Sequence, residues 1–261
     1  MIEHDFKKQF GQNFLRDSVW AEKIVKYLDL KESEMVIEIG PGQGALTEKL
    51  VETKAQVFSV EIDTELLPIL GAKFSGFPNF NLINSDIMAL DIEAKGPRQY
   101  KVCGSLPYNI SKNIISKFLL AKNKPLNMVF IIQKEVAEDY SAKAPKSSFL
   151  SNFAGIYSDV TYKNTIPRTD FYPTPEVDGG IIIFENIKEK VAEPEKLIKF
   201  IKIGFSQPRK KLSTNISSLF LNKQKAEEAL ISLGLKDTIR PSELDFASWR
   251  KLFDLVSSKH D

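Results

Sequence analysis

The stretch VIEIGPGQGALTEKLVETKAQVFS, Val36–Ser59, runs from an apolar segment of strand composition into three glycines at alternate positions, Gly40, Gly42 and Gly44. A helical pattern, Ala45–Val51, follows, and then a second apolar strand, Gln56–Val60, which ends in Glu61. Strand, glycine turn, helix, strand and acid make up one mononucleotide-binding half of a doubly wound, mostly parallel sheet. Glycine allows the sharp turn after the strand and lets a ligand lie against bare main chain. An acid at the tip of the second strand can accept hydrogen bonds from both hydroxyls of a ribose.

The spacing narrows the ligand. The turn reads G-x-G-x-G, not the G-x-G-x-x-G of dinucleotide sites, and Pro41 removes one N–H from it. No Walker lysine is present either. A phosphate cradle needs such donors. The pattern therefore favours a nucleoside ligand without a pyrophosphate, and S-adenosylmethionine (SAM) is the obvious one. The competing reading is an ordinary strand-to-helix turn, with Glu61 a solvated strand end.

Upstream, the basic segment KKQFGQNFLRD, residues 7–17, precedes a helix capped by Asp17 or Ser18, with Trp20, Ile24, Val25 and Leu28 on one face. Downstream, a helix is expected over Glu65–Lys73 and a third strand over Phe80–Asn84, ending in Ser85-Asp86-Ile87. An Asp just past a strand's carboxyl end is well placed to bind the exocyclic amine of an adenine. It suits a turn or helix cap equally well.

A fourth strand, Tyr100–Gly104, leads into Ser105-Leu106-Pro107-Tyr108. Amine methyltransferases often carry a polar residue, one spacer, proline and an aromatic at this place, and the chemistry needs those types. The lone pair of an adenine N6 is delocalised into the ring. A side-chain acceptor and a backbone carbonyl can hold both N–H groups and favour a pyramidal nitrogen. Proline fixes the turn that aims the carbonyl. An aromatic next to it can stack on the base, worth about 1–3 kcal/mol. The bland alternative is an X-Pro-aromatic turn closing a strand.

A helix over Asn113–Leu120, a fifth strand over Asn127–Ile132 and two late strands near Asp159–Thr165 and Gly179–Phe184 follow. The loop Ala142–Ser148 is expected to be mobile. The linker PRTDFYPTPEVD, Pro167–Asp178, holds Phe171 and Tyr172. A stiff loop presenting Phe171 beside Tyr108 would make a base sandwich; otherwise Phe171 is a core ring. From about Asn186 only helices are expected: Pro194–Phe205, Leu212–Leu221, Lys223–Leu233 and Ser242–Ser257. Between the first two lies the cluster Arg209-Lys210-Lys211, which reads as phosphate contacts or as a solvated charge run.

Residues 186–261 carry a net charge of +5 and residues 1–185 a net of −3, so a basic tail follows a weakly acidic body. That asymmetry points to an anionic partner. The single cysteine, Cys103, admits no internal disulfide and fits a reducing, cytoplasmic setting. The two histidines, His4 and His260, lie at opposite ends of the chain, which leaves no His/Cys metal site. No apolar run approaches the ~20 residues of a membrane span, and the first ten residues read as neither signal nor transit peptide.

Taken together, Gln9–Leu15, Glu38–Gly44, Glu61-Ile62-Asp63, Asp86, Leu106–Ser111, Phe171-x-Pro173-x-Pro175-x-Val177-Asp178, Phe205-Ser206-Gln207-x-Arg209-Lys210 and Arg240-Pro241-x-Glu243 resemble, in order and spacing, the small-subunit rRNA adenine N6,N6-dimethyltransferases of the KsgA type. The resemblance implies a Rossmann-like SAM-dependent methyltransferase domain, about 1–185, and a small all-helical, rRNA-binding domain, about 186–261. It implies two methyls on N6 of each of two adjacent adenosines in the hairpin loop near the 3′ end of small-subunit rRNA. S-adenosylhomocysteine is the second product, the immature small subunit the partner, and a monomer the acting form. The implied cofactor residues are Gln12, Asn13, Leu15, Gly40, Gly42, Gly44, Glu61, Ile62, Asp86, Ile87 and Ser105. Ser105, Leu106 and Pro107 would line the transfer site, Tyr108 and Phe171 would sandwich the base, and Arg209, Lys210 and Lys211 would meet RNA.

Three positions depart from the family pattern. Ser105 stands where Asn is usual, Gly179 and Gly180 replace a pair of other small residues, and Ala142–Leu150 lacks the usual Gly and Tyr. Two rivals remain at this level. One is the macrolide-resistance branch, which modifies large-subunit rRNA. The other is a SAM-fold assembly or transcription factor without turnover, for which Ser105 is the sole encouragement.

Overall fold

A computed structural model describes residues 14–92 and 99–257. Its strands are β1 (Phe14–Leu15), β2 (Met35–Ile39), β3 (Gln56–Glu61), β4 (Phe80–Asn84), β5 (Lys101–Ser105), β6 (Met128–Gln133), β7 (Asp159–Ile166), β8 (Phe171–Tyr172) and β9 (Gly179–Glu185). Seven of them form one sheet in the order β4-β3-β2-β5-β6-β9-β7. The pairs β2–β3, β3–β4, β2–β5 and β5–β6 are parallel, and β9 runs antiparallel to β6. With helices between the parallel strands this is a Rossmann-like α/β fold. The chain builds outward from β2 through β3 to β4, then returns to lay β5 on the other side of β2. The carboxyl ends of β2 and β5 therefore flank the switch point, where such sheets open a crevice.

The central strands are apolar because both their faces are covered: MVFIIQ in β6 and GGIIIFE in β9 are buried except at one end. Helix Ser18–Leu28 lays Ala21, Ile24 and Leu28 against Leu46 and Leu50 of helix Ala45–Val51 and against strand residues such as Val36 and Cys103. Asp17 caps the first of these helices, its Oδ1 accepting from Val19 N at 2.9 Å.

Contacts divide the described residues into two compact units. One takes the chain up to Ala137 with Thr161–Ile187; the other takes Glu138–Val160 with the chain from Lys188. A single boundary near residue 186 does not describe this arrangement, because residues 138–160 pack with the C-terminal helices. Ser147 donates from its backbone to Ser242 O and from Oγ to Ser242 O and Leu244 O, and Lys188 and Lys190 donate backbone N–H groups to Tyr157 O and Ile156 O. The segment Ala142–Ser148, expected to be mobile, is thus tied at its end, and Ser148 forms a capping box with Ser151 for the helix Phe149–Gly155.

The second unit contains helices Pro194–Gly204, Lys223–Ser232 and Phe246–Ser257 around Trp249, whose ring meets Phe200 edge-on at 6.0 Å and stacks on Phe205 at 5.5 Å. The single helix expected over Leu212–Leu221 is instead a short helix, Leu212–Asn215, and a 3-10 turn, Ser217–Leu219. Asn215 turns its amide back to Gly204 O (2.6 Å) and Gln207 O (3.0 Å), and Ser217 Oγ donates to Thr214 O. Short polar side chains of this kind compete with the helical backbone for its own partners.

Candidate active site

One cavity lies at the carboxyl ends of β2, β3, β4 and β5, with a volume of about 280 Å³. Its walls come from separate parts of the chain. The glycine turn gives Gly40, Pro41, Gly42 and Gln43; β3 gives Glu61 and Ile62; the turn after β4 gives Asp86, Ile87 and Met88; the turn after β5 gives Ser105, Leu106, Pro107 and Tyr108; the ribbon of β1 and β8 gives Phe14, Leu15 and Phe171. Of the expected cofactor residues, Gln12 and Asn13 lie outside the described residues. Gly44 is not on the wall. It forms the N-cap of helix Ala45–Val51 at φ +86°, and a Cβ there would come within 2.6 Å of the Phe74 ring. Its glycine serves packing. At Gly42, φ is +58° and a Cβ would strike the Phe14 ring at 2.5 Å.

Two carboxylates are buried in this wall. Glu61, 4% exposed, accepts from Asp63 N at 2.8 Å and from Gly42 N at 3.3 Å. Burial raises its pKa, which these backbone donors oppose. The glycine turn and the strand tip thus hold the acid in place. Glu38, which the sequence reading passed over as part of the strand, is 1% exposed. Its Oε2 accepts from Thr47 Oγ1 (2.8 Å) and Ser59 Oγ (2.5 Å), while Oε1 has no partner among the described residues. Burial pushes its pKa up to about 7. An acid in the middle of an otherwise apolar parallel strand was the signal available at residue 38, since such strands bury both faces.

Asp86 Oδ1 accepts from Met88 N at 2.8 Å, and its carbonyl accepts from Ala89 N and Leu90 N at 3.0 Å. It is thus a turn cap and a cavity residue at once. Past β5, Leu106 N donates to Ile131 O, and the Pro107 carbonyl takes the N–H groups of Ile110 (3.2 Å) and Ser111 (3.0 Å) at the start of helix Ser111–Leu120. Among the described residues no backbone hydrogen bond ends on the Leu106 carbonyl. Tyr108 is half-buried, with a buried hydroxyl that has no partner among the described residues, and burial together with Asp178 and Glu135 pushes its pKa up to about 12.

Phe171 reaches the same cavity, and its ring is fully buried. In the antiparallel ribbon Phe14 faces Tyr172 and Leu15 faces Phe171, and alternation turns Phe171 inward and Tyr172 outward. A Cβ on Gly179 would lie 2.8 Å from the Phe171 ring and one on Gly180 2.8 Å from Tyr162. The unusual glycine pair makes room for these rings. Asp170, also missed, latches the ribbon: its carbonyl accepts from Arg16 N (2.9 Å) and its Oδ2 from Trp20 Nε1 (2.8 Å).

In the second unit Arg209 and Lys210 are exposed, and Lys211 pairs with Asp237 at 3.4 Å. No cluster of metal-ligating residues and no helix long and apolar enough to cross a membrane occurs among the described residues.

The cavity suits a nucleoside joined to an amino acid. Its glycine turn lies against open space at Gly40, Glu61 offers a fixed acceptor, Asp86 a second, and the orphaned Glu38 Oε1 calls for a donor, because a buried acceptor left unmade is costly.

Residues 3–257 match the family model described as ribosomal RNA adenine dimethylase. The chain is 37% identical over 256 residues to "Ribosomal RNA small subunit methyltransferase A" of Mycoplasma mobile, covering 97% of this chain and 98% of that one. It is 34% identical over 265 residues to the protein of the same name from Pseudomonas syringae pv. tomato, covering 99% and 97%. Among solved structures, the 23S rRNA methyltransferase ErmE superposes with a TM-score of 0.78 at 25% identity, covering 94% of this chain and 99% of that one. A dimethyladenosine transferase from Plasmodium falciparum shares the fold, with a TM-score of 0.82 at 23% identity over 95% and 98% of the two chains.

Proposed function

The chain belongs to the ribosomal RNA adenine dimethylase family, and from that premise we propose that it dimethylates N6 of adenines in small-subunit rRNA, with SAM as methyl donor. The observation that carries this reading is the cavity at the switch point, which joins the glycine turn and Glu61 to Asp86 and Ser105–Tyr108. The targets are two adjacent adenosines in the 3′-terminal hairpin loop, and the substrate is the immature small subunit. The protein acts in the cytoplasm as a monomer.

SAM supplies an electrophilic methyl group. Leu15 and the main chain at Gly40 and Gly42 would hold it, Glu61 would accept from the ribose hydroxyls, and Asp86 from the purine amine, with Ile62 and Ile87 against the ring. Glu38 Oε1 would accept from the ammonium of the amino-acid end. On the substrate side, Ser105 Oγ and the free Leu106 carbonyl accept the two N–H groups of the target amine, which aims its lone pair. Serine is shorter than asparagine but keeps the acceptor. Tyr108 offers its face to the base, with the buried Phe171 backing the same wall. No strong base is needed, because the amine sheds its proton to water once it has become cationic. The rate gain is chiefly positional. Arg209 and Lys210 contact RNA phosphates; Lys211, already paired, contributes less.

Calorimetric titration tests the cofactor site. The wild type is expected to bind SAM and S-adenosylhomocysteine, and Glu61→Ala to bind both about 10–100-fold more weakly. Ser105→Ala is expected to lower kcat about tenfold or more with little change in the KM for SAM. A wild type that binds neither nucleoside, or a Glu61→Ala variant that binds as well as wild type, overturns this site.

A further inference from the structure

The segment after β4 makes one tight turn. Asp86 accepts the N–H groups of Met88, Ala89 and Leu90, and in doing so brings Asp86, Ile87 and Met88 to the cavity. Nothing in that closure uses the carbonyls of Met88 and Leu90. Both are taken by one side chain from another element: Lys117 Nζ donates to Met88 O at 3.0 Å and to Leu90 O at 2.8 Å.

Lys117 lies partly buried in helix Ser111–Leu120, whose Ile114, Ile115, Phe118 and Leu119 are buried. That helix begins on the Pro107 carbonyl, so it continues directly from the Ser105–Tyr108 turn. A run of bonded elements therefore joins the two ends of the cavity: transfer turn, helix, Lys117, purine-side turn. A charged donor on two carbonyls is stronger than the neutral bonds around it, and the turn it holds is otherwise exposed at Asp86, Met88 and Ala89.

We infer that Lys117 is a positioning residue, which acts through the Asp86–Leu90 turn to set the purine end of the cofactor site at a fixed place relative to the Ser105–Tyr108 turn. It touches neither substrate nor cofactor. The inference rests on the SAM-binding reading above. Losing the lysine loosens Asp86 and Ile87 while leaving Ser105 and Leu106 in place, so binding suffers and chemistry at saturation does not.

The experiment compares wild type, Lys117→Met and Lys117→Arg for binding of SAM, S-adenosylhomocysteine and 5′-methylthioadenosine, which lacks the amino-acid end. For the methionine variant, Kd is expected to rise about tenfold for all three ligands, with kcat at saturating SAM within about twofold of wild type. Arginine, which keeps the charge and the donors, is expected to recover most of the affinity. Equal Kd values in wild type and Lys117→Met overturn the inference, as does a loss confined to kcat. If Lys117→Met does not fold, Lys117→Gln replaces it under the same criteria. A wild type that binds none of the three ligands defeats the SAM reading itself, an outcome distinct from failure of the lysine variants.

Discussion

At the scale of single residues the site is governed by burial. Glu38 is an acid with its folded pKa raised from 4.5 to about 7. In the window between these values the folded state holds a proton that the unfolded chain has lost, so stability falls as pH rises through it. The expected cost is on the order of 2–3 kcal/mol at the upper end. Urea unfolding of the ligand-free protein should show this decline between about pH 5 and 7.5, and Glu38→Gln should flatten it. A cationic amine against Oε1 would favour the ionised form, so SAM binding near pH 7 should release a fraction of a proton, detectable as a buffer-dependent enthalpy and absent in Glu38→Gln. Tyr108 separates two roles. Its buried hydroxyl has no partner among the described residues, so Tyr108→Phe should leave stability and turnover nearly unchanged. Tyr108→Ala removes the face and should cost about 1–3 kcal/mol in kcat/KM, or roughly 5–150-fold. That Glu61, Asp86 and Ser105 line one cavity was legible because strand ends in a doubly wound sheet point at one crevice. Glu38 was not, because its hydroxyl partners, Thr47 and Ser59, sit nine and twenty-one positions away.

At the scale of elements, the strand–turn–helix unit around Val36–Ser59 was readable because apolar runs and glycines mark it locally. What the glycines do was only partly readable. Gly44 serves the contact between its turn and helix Leu67–Phe74, through the Phe74 ring. Gly44→Ala places a Cβ in a left-handed conformation and against that ring, and is expected to destabilise by about 2–4 kcal/mol, measured as a lowered urea midpoint with unchanged slope. A Gly44→Ala protein as stable as wild type would show that the turn gives way freely. The ribbon of β1 and β8 escaped the sequence reading because two residues a side carry no periodicity. Its register, set by Asp170, decides which of Phe171 and Tyr172 faces inward. The helix Phe149–Gly155 escaped for another reason: serines occupy both positions of its capping box, where Glu or Gln usually marks the second.

At the scale of the whole molecule, the change from strands to helices near residue 186 was visible in pattern and charge. The return of residues 138–160 to the C-terminal unit was not, because it depends on contacts such as that of Ser147 with Ser242 and Leu244, about a hundred positions apart. The basic turn at Arg209 and Lys210 belongs to that unit. Replacing both by Glu should weaken rRNA binding, reduce the salt dependence of that binding by about two phosphate contacts, and leave SAM affinity as in wild type. An unchanged salt slope would remove these residues from the RNA surface.

A transfer assay with methyl-labelled SAM on undermethylated small subunits, large-subunit precursors and free RNA, with digested products resolved as mono- or dimethyladenosine, decides whether the chain methylates small-subunit rRNA. Dimethyladenosine is expected on small subunits alone, formed with Ser105 in place. Label confined to large-subunit RNA would contradict it in favour of the activity that ErmE's name carries, and SAM binding without transfer to any of the three would contradict it in favour of a factor that has lost turnover.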